Sequence, residues 1–113
     1  MNGKTAHQTA HRVVIVGAGF GGLSGPAIKP LALRLVYQAA QAVKIPVIGL
    51  GGISTGEDAA EFLVAGARAV EVGTATFWDP QSPARVAREL GRFLRHEKVG
   101  NVREIVGTLE WPR

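Results

Sequence analysis

Two short, evenly apolar runs, Val47-Ile48-Gly49-Leu50 and Ala69-Val70-Glu71-Val72, flank a segment whose apolar residues recur at helical spacing. Runs this short and this uniform do not make an amphipathic helix; they read as strands of a parallel sheet, buried on both faces. Between them Ala59, Phe62, Leu63 and Ala67 share one side of a helix expected over about 57–65. Thr55 or Ser54 can cap its start, Glu57 and Asp58 complement the helix dipole in the first turn, and Gly66 can close the end. The pattern predicts a β-α-β unit.

Each of these strands runs into a glycine-bearing turn, Gly51-Gly52 after the first and Gly73-Thr74 after the second. Adjacent parallel strands bring both turns to the carboxyl-terminal edge of the sheet, where α/β folds bind ligands. Glycine lets the backbone approach an anion, and the N–H groups so exposed, with the start of a following helix, can hold phosphate without a charged side chain. The paired turns predict a phosphate cradle; the alternative is a pair of ordinary strand-to-helix turns.

The remaining pattern extends this unit in both directions. Val13-Val14-Ile15-Val16 reads as a further strand. A helix is expected from Leu31 to Val43, with Leu31, Leu35, Ala39 and Ala42 near one face and Pro30 at its first turn. After Trp78-Asp79-Pro80 another helix is expected over 83–95, with Ser82 as its N-cap and Pro83 at the first helical position. Val86, Leu90, Phe93 and Leu94 form its apolar stripe, and Arg85, Arg88, Arg92 and Arg95 lie mostly on a solvated outer surface. Gly100-Asn101 reads as a turn, 102–109 as a short closing helix, and Trp111 as a cap on the core. Three parallel strands with flanking helices define the α/β class. They leave two sheet edges unpaired and one apolar face uncovered, which predicts either self-association through those edges or marginal stability.

Composition narrows the function. A chain of 113 residues with 46% hydrophobic residues and 15 glycines is a single small domain with a core. Having no cysteine, it has no disulfide, no thiolate metal ligand and no cysteine nucleophile. The net charge of +4 is spread along the chain, without the basic stripe and interleaved aromatics that nucleic-acid binding requires. No apolar run approaches the roughly 18 residues of a membrane span, and the expected setting is cytoplasmic, with no membrane partner. Residues 1–12 are polar and read as a disordered tail. His7 and His11 in that tail have the spacing to share a metal on a helix but lack a third ligand, so no metal site is assigned. No catalytic residue is assigned either.

The strand at Val13-Val16 is followed by Gly17-Ala18-Gly19-Phe20-Gly21-Gly22, which fits the G-x-G-x-x-G dinucleotide fingerprint. The mechanism also needs a helix after the glycines and an acid about 20 residues on for the ribose hydroxyls. Pro26 and Pro30 interrupt any such helix, and the first acid is Glu57, in a different element. Residues 12–23 resemble the start of pyridine-nucleotide flavoproteins such as type II NADH dehydrogenases. From Gly21 to about Glu110 the chain resembles the C-terminal part of class 1 dihydroorotate dehydrogenases, most nearly the B subtype. GGLSGPAIKPLALRLVYQ, IPVIGLGGISTGEDAAEFLVAGA and AVEVGTATFWDP carry that resemblance in order. The two resemblances meet at Gly21-Gly22-Leu23, as they would in a fusion.

The second resemblance implies that residues 13–113 form a partial TIM barrel, since a complete one takes about 250 residues. In that family the enzyme oxidises dihydroorotate to orotate in pyrimidine biosynthesis and passes the hydride to FMN. Carried over by position, Gly25 of the SGP turn, Gly51 and Gly52 of LGGIS, and Gly73 and Thr74 of VGTA resemble the contacts to the FMN phosphate. The Thr74 hydroxyl would be an added donor. Gly25 enters only through the resemblance. The family's cysteine base, its flavin-contacting lysine and its substrate-binding asparagines belong to upstream segments, and Lys29, expected at the surface, is not that lysine. The implied reading is an FMN-phosphate-binding fragment, partnered by a flavin nucleotide, without dihydroorotate oxidation of its own. Two other readings stay open: a structural or assembly half-barrel without ligand, and an FAD- or NAD-binding oxidoreductase fragment built on the fingerprint.

Overall fold

Residues 12–16 and 22–112 are described by the computed structural model. Among them the sheet has the order β1-β2-β3, all parallel, with β1 at Val14–Val16, β2 at Val47–Leu50 and β3 at Ala69–Glu71. Val14 pairs with Val47 and Gly49 with both Val16 and Val70, so the middle strand is the one between the two glycine-bearing halves of the chain. The expected tail before Arg12, with His7 and His11, and the fingerprint glycines from Gly17 to Gly21 lie outside the described residues.

Helices α1 (Lys29–Ala42) and α2 (Gly56–Ala65) cover one side of this sheet, and α3 (Ser82–His96) packs on α2. The core joins Ala32 and Val36 of α1, Val47 of β2, Ala59, Phe62 and Ala65 of α2, and Val86 of α3. Expected burial of β2 on both faces is corrected: Val47 and Gly49 are buried under the helices, whereas Ile48 and Leu50 on the other face are only half-buried. Ala69 and Glu71 of β3 share that second face and are exposed. Among the described residues no layer covers it.

The face that α1 turns inward also differs from the expected one. Ala32 and Val36 are fully buried, Leu35 and Ala39 are half-buried, and Leu31 and Ala42 are exposed. The glycines of β2 explain this. A Cβ on Gly49 would stand 3.2 Å from Val36 Cγ2, and one on Gly51 2.7 Å from Ala32 Cβ. Without side chains there, α1 packs directly onto the strand, and small or β-branched residues must make the contact; the leucines are too long for that gap.

α2 starts with a capping box. The Thr55 hydroxyl accepts the Asp58 N–H, and the Asp58 carboxylate accepts the Thr55 N–H in return. Gly66 ends the helix as expected, with its N–H bonded to the Leu63 carbonyl at 2.9 Å. α3 begins one residue earlier than expected. Gln81 holds the N-cap position and Ser82 lies inside the first turn, its backbone N–H donating to the Asp79 carbonyl at 2.9 Å. Arg85 pairs with Asp79 at 2.9 Å and Glu89 at 3.0 Å, while Arg88, Arg92 and Arg95 are exposed.

The closing helix expected over 102–109 is replaced by a single 3-10 turn, Val102–Glu104. Beyond it the Gly107 and Leu109 N–H groups donate to the Leu63 and Val64 carbonyls at 3.0 and 3.1 Å. The C-terminal segment thus bonds to carbonyls at the end of α2, sharing that of Leu63 with the capping Gly66 N–H, instead of continuing as a helix of its own. Trp111 does not enter the core. It is 65% exposed and stacks on Tyr37 of α1, ring centroids 5.7 Å apart.

Candidate functional site

A cleft of about 560 Å³ opens at the carboxyl ends of β2 and β3. Three stretches of chain meet in it: Gly22 to Ile28 before α1, Leu50 to Ser54 after β2, and Glu71 to Ala75 after β3. All five residues expected to contact phosphate, Gly25, Gly51, Gly52, Gly73 and Thr74, line this one cleft. Gly25 and Thr74, 49 positions apart in the numbering, approach so closely that a Cβ on Gly25 would lie 3.9 Å from Thr74 Cγ2.

The turn after β2 requires glycine for two reasons. Gly51 and Gly52 have φ of 128° and 73°, in the region L side chains avoid. Gly52 also sits against the neighbouring wall, where an added Cβ would be 2.7 Å from the Gly25 carbonyl oxygen and 2.9 Å from Lys29 Cβ. Gly73 is different, because a Cβ there would meet nothing within 4 Å. Its glycine leaves open space at the cleft rather than permitting a tight packing contact.

Hydrogen-bond accounting fits an anion at this place. The Gly73 carbonyl is taken by the Thr76 N–H at 2.9 Å and the Thr76 hydroxyl at 2.7 Å, and the Gly25 carbonyl by the Ile28 N–H at 3.1 Å. Among the described residues, the N–H groups of Gly52, Gly73 and Thr74 and the Thr74 hydroxyl find no protein acceptor. Amides left over in a concave turn form an anion-binding nest. The donors and the space match the phosphate end of a nucleotide.

The first turn of α2 was expected to add its own N–H groups to this cradle, and the structure corrects that. The Ser54 and Thr55 N–H groups donate to Asp58 Oδ2 at 2.9 and 3.0 Å, and the Gly56 N–H donates to Glu89 Oε2 at 2.8 Å. Two protein carboxylates already occupy the positive end of the helix. The Gly56 N–H, followed by Arg85, holds the Glu89 carboxyl below its ordinary range. Burial pushes the Asp58 carboxyl up, but Lys29 and Ser54 outweigh it and hold the group at about 2. Lys29 bonds Asp58 at 2.6 Å and Glu61 at 2.9 Å and is not a free surface lysine.

Sequence reasoning did not anticipate the rest of the lining. Leu23, Leu50 and Val72 give one side an apolar surface, and Trp78, 61% exposed, stands at the rim. Glu71 is the only titratable side chain among the lining residues. Its place on the outward face of β3 was readable from the two-residue period of a strand once the core-facing side was known. The cleft is equipped to bind and orient; Glu71 aside, none of the described residues that line it offers a group to move a proton. Among the described residues no cluster of histidine and acidic side chains could hold a metal ion, and no helix is long and apolar enough to cross a membrane.

A parallel sheet flanked by helices, with a cleft at its carboxyl edge, places the chain among α/β folds of the βα-barrel kind. Comparison with known proteins gives the family. The dihydroorotate dehydrogenase family model matches residues 2–94, and the chain belongs to that family. This match spans the fingerprint segment. A protein provisionally named dihydroorotate dehydrogenase A (fumarate), from Solibacter usitatus, is 73% identical over 85% of this chain and 32% of its own length. The catalytic subunit of dihydroorotate dehydrogenase B (NAD(+)) from Geobacter sulfurreducens is 60% identical over 80% of this chain and 30% of its own length. Crystal structures of the Eimeria tenella enzyme are similar as well. The ferulenol complex has a TM-score of 0.73 and 35% identity over 78% of this chain and 24% of that one. The ligand-free form has the same score and identity over 81% and 26%. The chain thus spans about a third of the length of the curated relatives it matches.

Proposed function

We propose that this chain carries the FMN-phosphate subsite of a dihydroorotate dehydrogenase. The observation that carries this reading is the meeting of Gly25, Gly51-Gly52 and Gly73-Thr74 in one cleft with unspent amides. In it, the N–H groups of Gly52, Gly73 and Thr74 and the Thr74 hydroxyl hold the phosphate oxygens, and Gly25 and Gly51 keep the walls free of side chains. FMN, when bound, supplies the hydride acceptor for oxidation of dihydroorotate to orotate. The apolar surface of Leu23, Leu50 and Val72 keeps water from the part of the nucleotide beyond the phosphate.

The oxidation itself needs a base and a substrate-binding set that this chain does not contain, so the chain alone binds without catalysing. Residues 13–113 act as one partial-barrel unit, in the cytoplasm, and the edges of β1 and β3, unpaired among the described residues, together with the exposed Leu23, Phe77 and Trp78 favour association with a further layer. That exposed surface also supports the second reading, an assembly module without ligand.

Titration with FMN, in parallel with FAD and inorganic phosphate, decides between them by flavin fluorescence and thermal unfolding. The proposal expects saturable FMN binding that Gly73→Val abolishes while the protein stays folded. A folded protein that binds no flavin leaves the assembly reading. FAD bound in preference to FMN points instead to the fingerprint. If FMN binds, supplying the complementary part of a relative should restore dihydroorotate oxidation.

A further inference from the structure

The cleft has two walls from different parts of the chain, and one carboxylate ties them together from behind. Gly25, Pro26 and Ile28, which lead directly into α1 at Lys29, line the first wall; Gly51, Gly52, Ile53 and Ser54 line the second. Asp58 Oδ1 accepts the ammonium of Lys29, the residue that follows the first wall, at 2.6 Å. Asp58 Oδ2 accepts the Ser54 N–H at 2.9 Å and the Ser54 hydroxyl at 3.1 Å, on the second wall, and the N–H of the next residue, Thr55, at 3.0 Å.

We propose that Asp58 is the positioning residue of the phosphate cradle, clamping the Gly25 wall to the Gly51-Gly52 wall through Lys29; this rests on the flavin-phosphate reading of the cleft. A capping box needs only the bonds between Asp58 and Thr55. The bond to Lys29, from an element 29 residues away, goes beyond capping. Glu61 shares Lys29 but is 49% exposed and makes no bond to either turn, whereas the Asp58 side chain is 13% exposed. The walls touch where the clamp closes: the Gly52 Cβ position is 3.2 Å from the Lys29 backbone nitrogen and 2.7 Å from the Gly25 carbonyl oxygen. Binding groups must be held to within about 0.5 Å of the productive geometry, and a glycine turn has no side chains of its own to provide that. The clamp provides it from behind, without contacting the ligand.

The experiment compares wild type with Asp58→Asn, Lys29→Met and Lys29→Arg, using Glu97→Gln at an exposed pair as control. FMN affinity and the backbone amide resonances of Gly25, Gly51, Gly52 and Gly73 are read on each. Lys29→Met leaves the capping box intact and so opens the clamp without uncapping α2, which keeps the test valid if Asp58→Asn does not fold. The expected result is a loss of FMN affinity of about tenfold or more in Lys29→Met, the scale of a charge-assisted bond. Shifted Gly25, Gly51 and Gly52 amides should accompany it, with partial recovery in Lys29→Arg and no change in Glu97→Gln. Unshifted Gly25, Gly51 and Gly52 amides in a folded Lys29→Met protein overturn the clamp. If wild type binds no FMN, the cofactor reading falls and the amide shifts alone decide whether the two walls are clamped.

Discussion

Glu89 on α3 accepts the backbone N–H of Gly56 at 2.8 Å, closing the start of α2 from a helix 33 residues further along the chain. Gly56 is buried, so this amide has no water to turn to. Glu89→Ala should destabilise the fold by about 1–3 kcal/mol, the cost of an unsatisfied buried donor. Glu89→Gln, which keeps an acceptor, should cost less. Chemical denaturation of the two variants checks this, and equal losses would show that the Gly56 bond is not the cause. FMN affinity should be the same in both, because this helix end is not part of the cradle.

Two glycines of the cleft should respond oppositely to a valine. Gly51→Val places a side chain at a φ of 128° and against Ala32, and should cost about 2 kcal/mol or more of stability. A Cβ added at Gly73 meets nothing within 4 Å, so Gly73→Val should keep the melting temperature within a few degrees and lose flavin binding. Thermal unfolding with and without FMN separates the two. A Gly73→Val protein that binds FMN as wild type does would remove Gly73 from the cradle.

Glu71 places a carboxylate in the lining of a cleft proposed to hold a phosphate. Like charges brought into one cleft repel even in a largely aqueous setting. Glu71→Gln should therefore tighten FMN and inorganic phosphate binding by roughly two- to tenfold, with the gain shrinking as salt is added. Isothermal titration at low and high ionic strength tests it; a salt-independent change would mean that charge is not the cause.

Asp58 makes the stability depend on pH in a defined direction. Its folded carboxyl titrates at about 2 against an ordinary 3.8, so the folded state binds its proton more weakly than the unfolded chain. The stabilisation is present above the ordinary value and is lost as pH falls from there towards 2. Asp58→Asn should flatten the acid limb of the stability curve over that interval. An unchanged acid limb would assign the acid sensitivity to other carboxylates.

Ser82 is fully buried and its hydroxyl oxygen has no hydrogen-bond partner among the described residues. Expected as the N-cap, it sits inside the first turn of α3, where the hydroxyl caps nothing. Ser82→Ala should stabilise the protein by about 0.5–1 kcal/mol, whereas a working N-cap would lose a similar amount. The sign of the change in melting temperature decides.

Much of this fold can be read from short stretches of chain, because each feature depends on residues a few positions apart. Thr55 and Asp58 are three apart, and their mutual bonds define the start of α2 wherever that helix is placed. The apolar runs at Val47 and Ala69 mark strands by their own composition, and Gly51-Gly52 and Gly73-Thr74 follow them as turns at one sheet edge. Four of the five residues in the proposed cradle come from that reasoning, and Gly25 comes only from likeness to a family.

Other features depend on which distant segments come into contact. Leucines at helical spacing marked one face of α1, yet the helix buries Ala32 and Val36, because Gly49 of β2 and Gly51 just after it let α1 approach so closely that its short side chains make the contact. The dipole of α2 suggested an anion site, yet its amides are satisfied by Asp58 and by Glu89 from another helix. The segment after Val102 had a helical spacing, yet its Gly107 and Leu109 amides bond to carbonyls at the end of α2. In each case a backbone group or an apolar face had a local partner and a better one far along the chain. Hydrogen-bond satisfaction and close packing favour the distant partner, and a one-dimensional pattern holds no record of it.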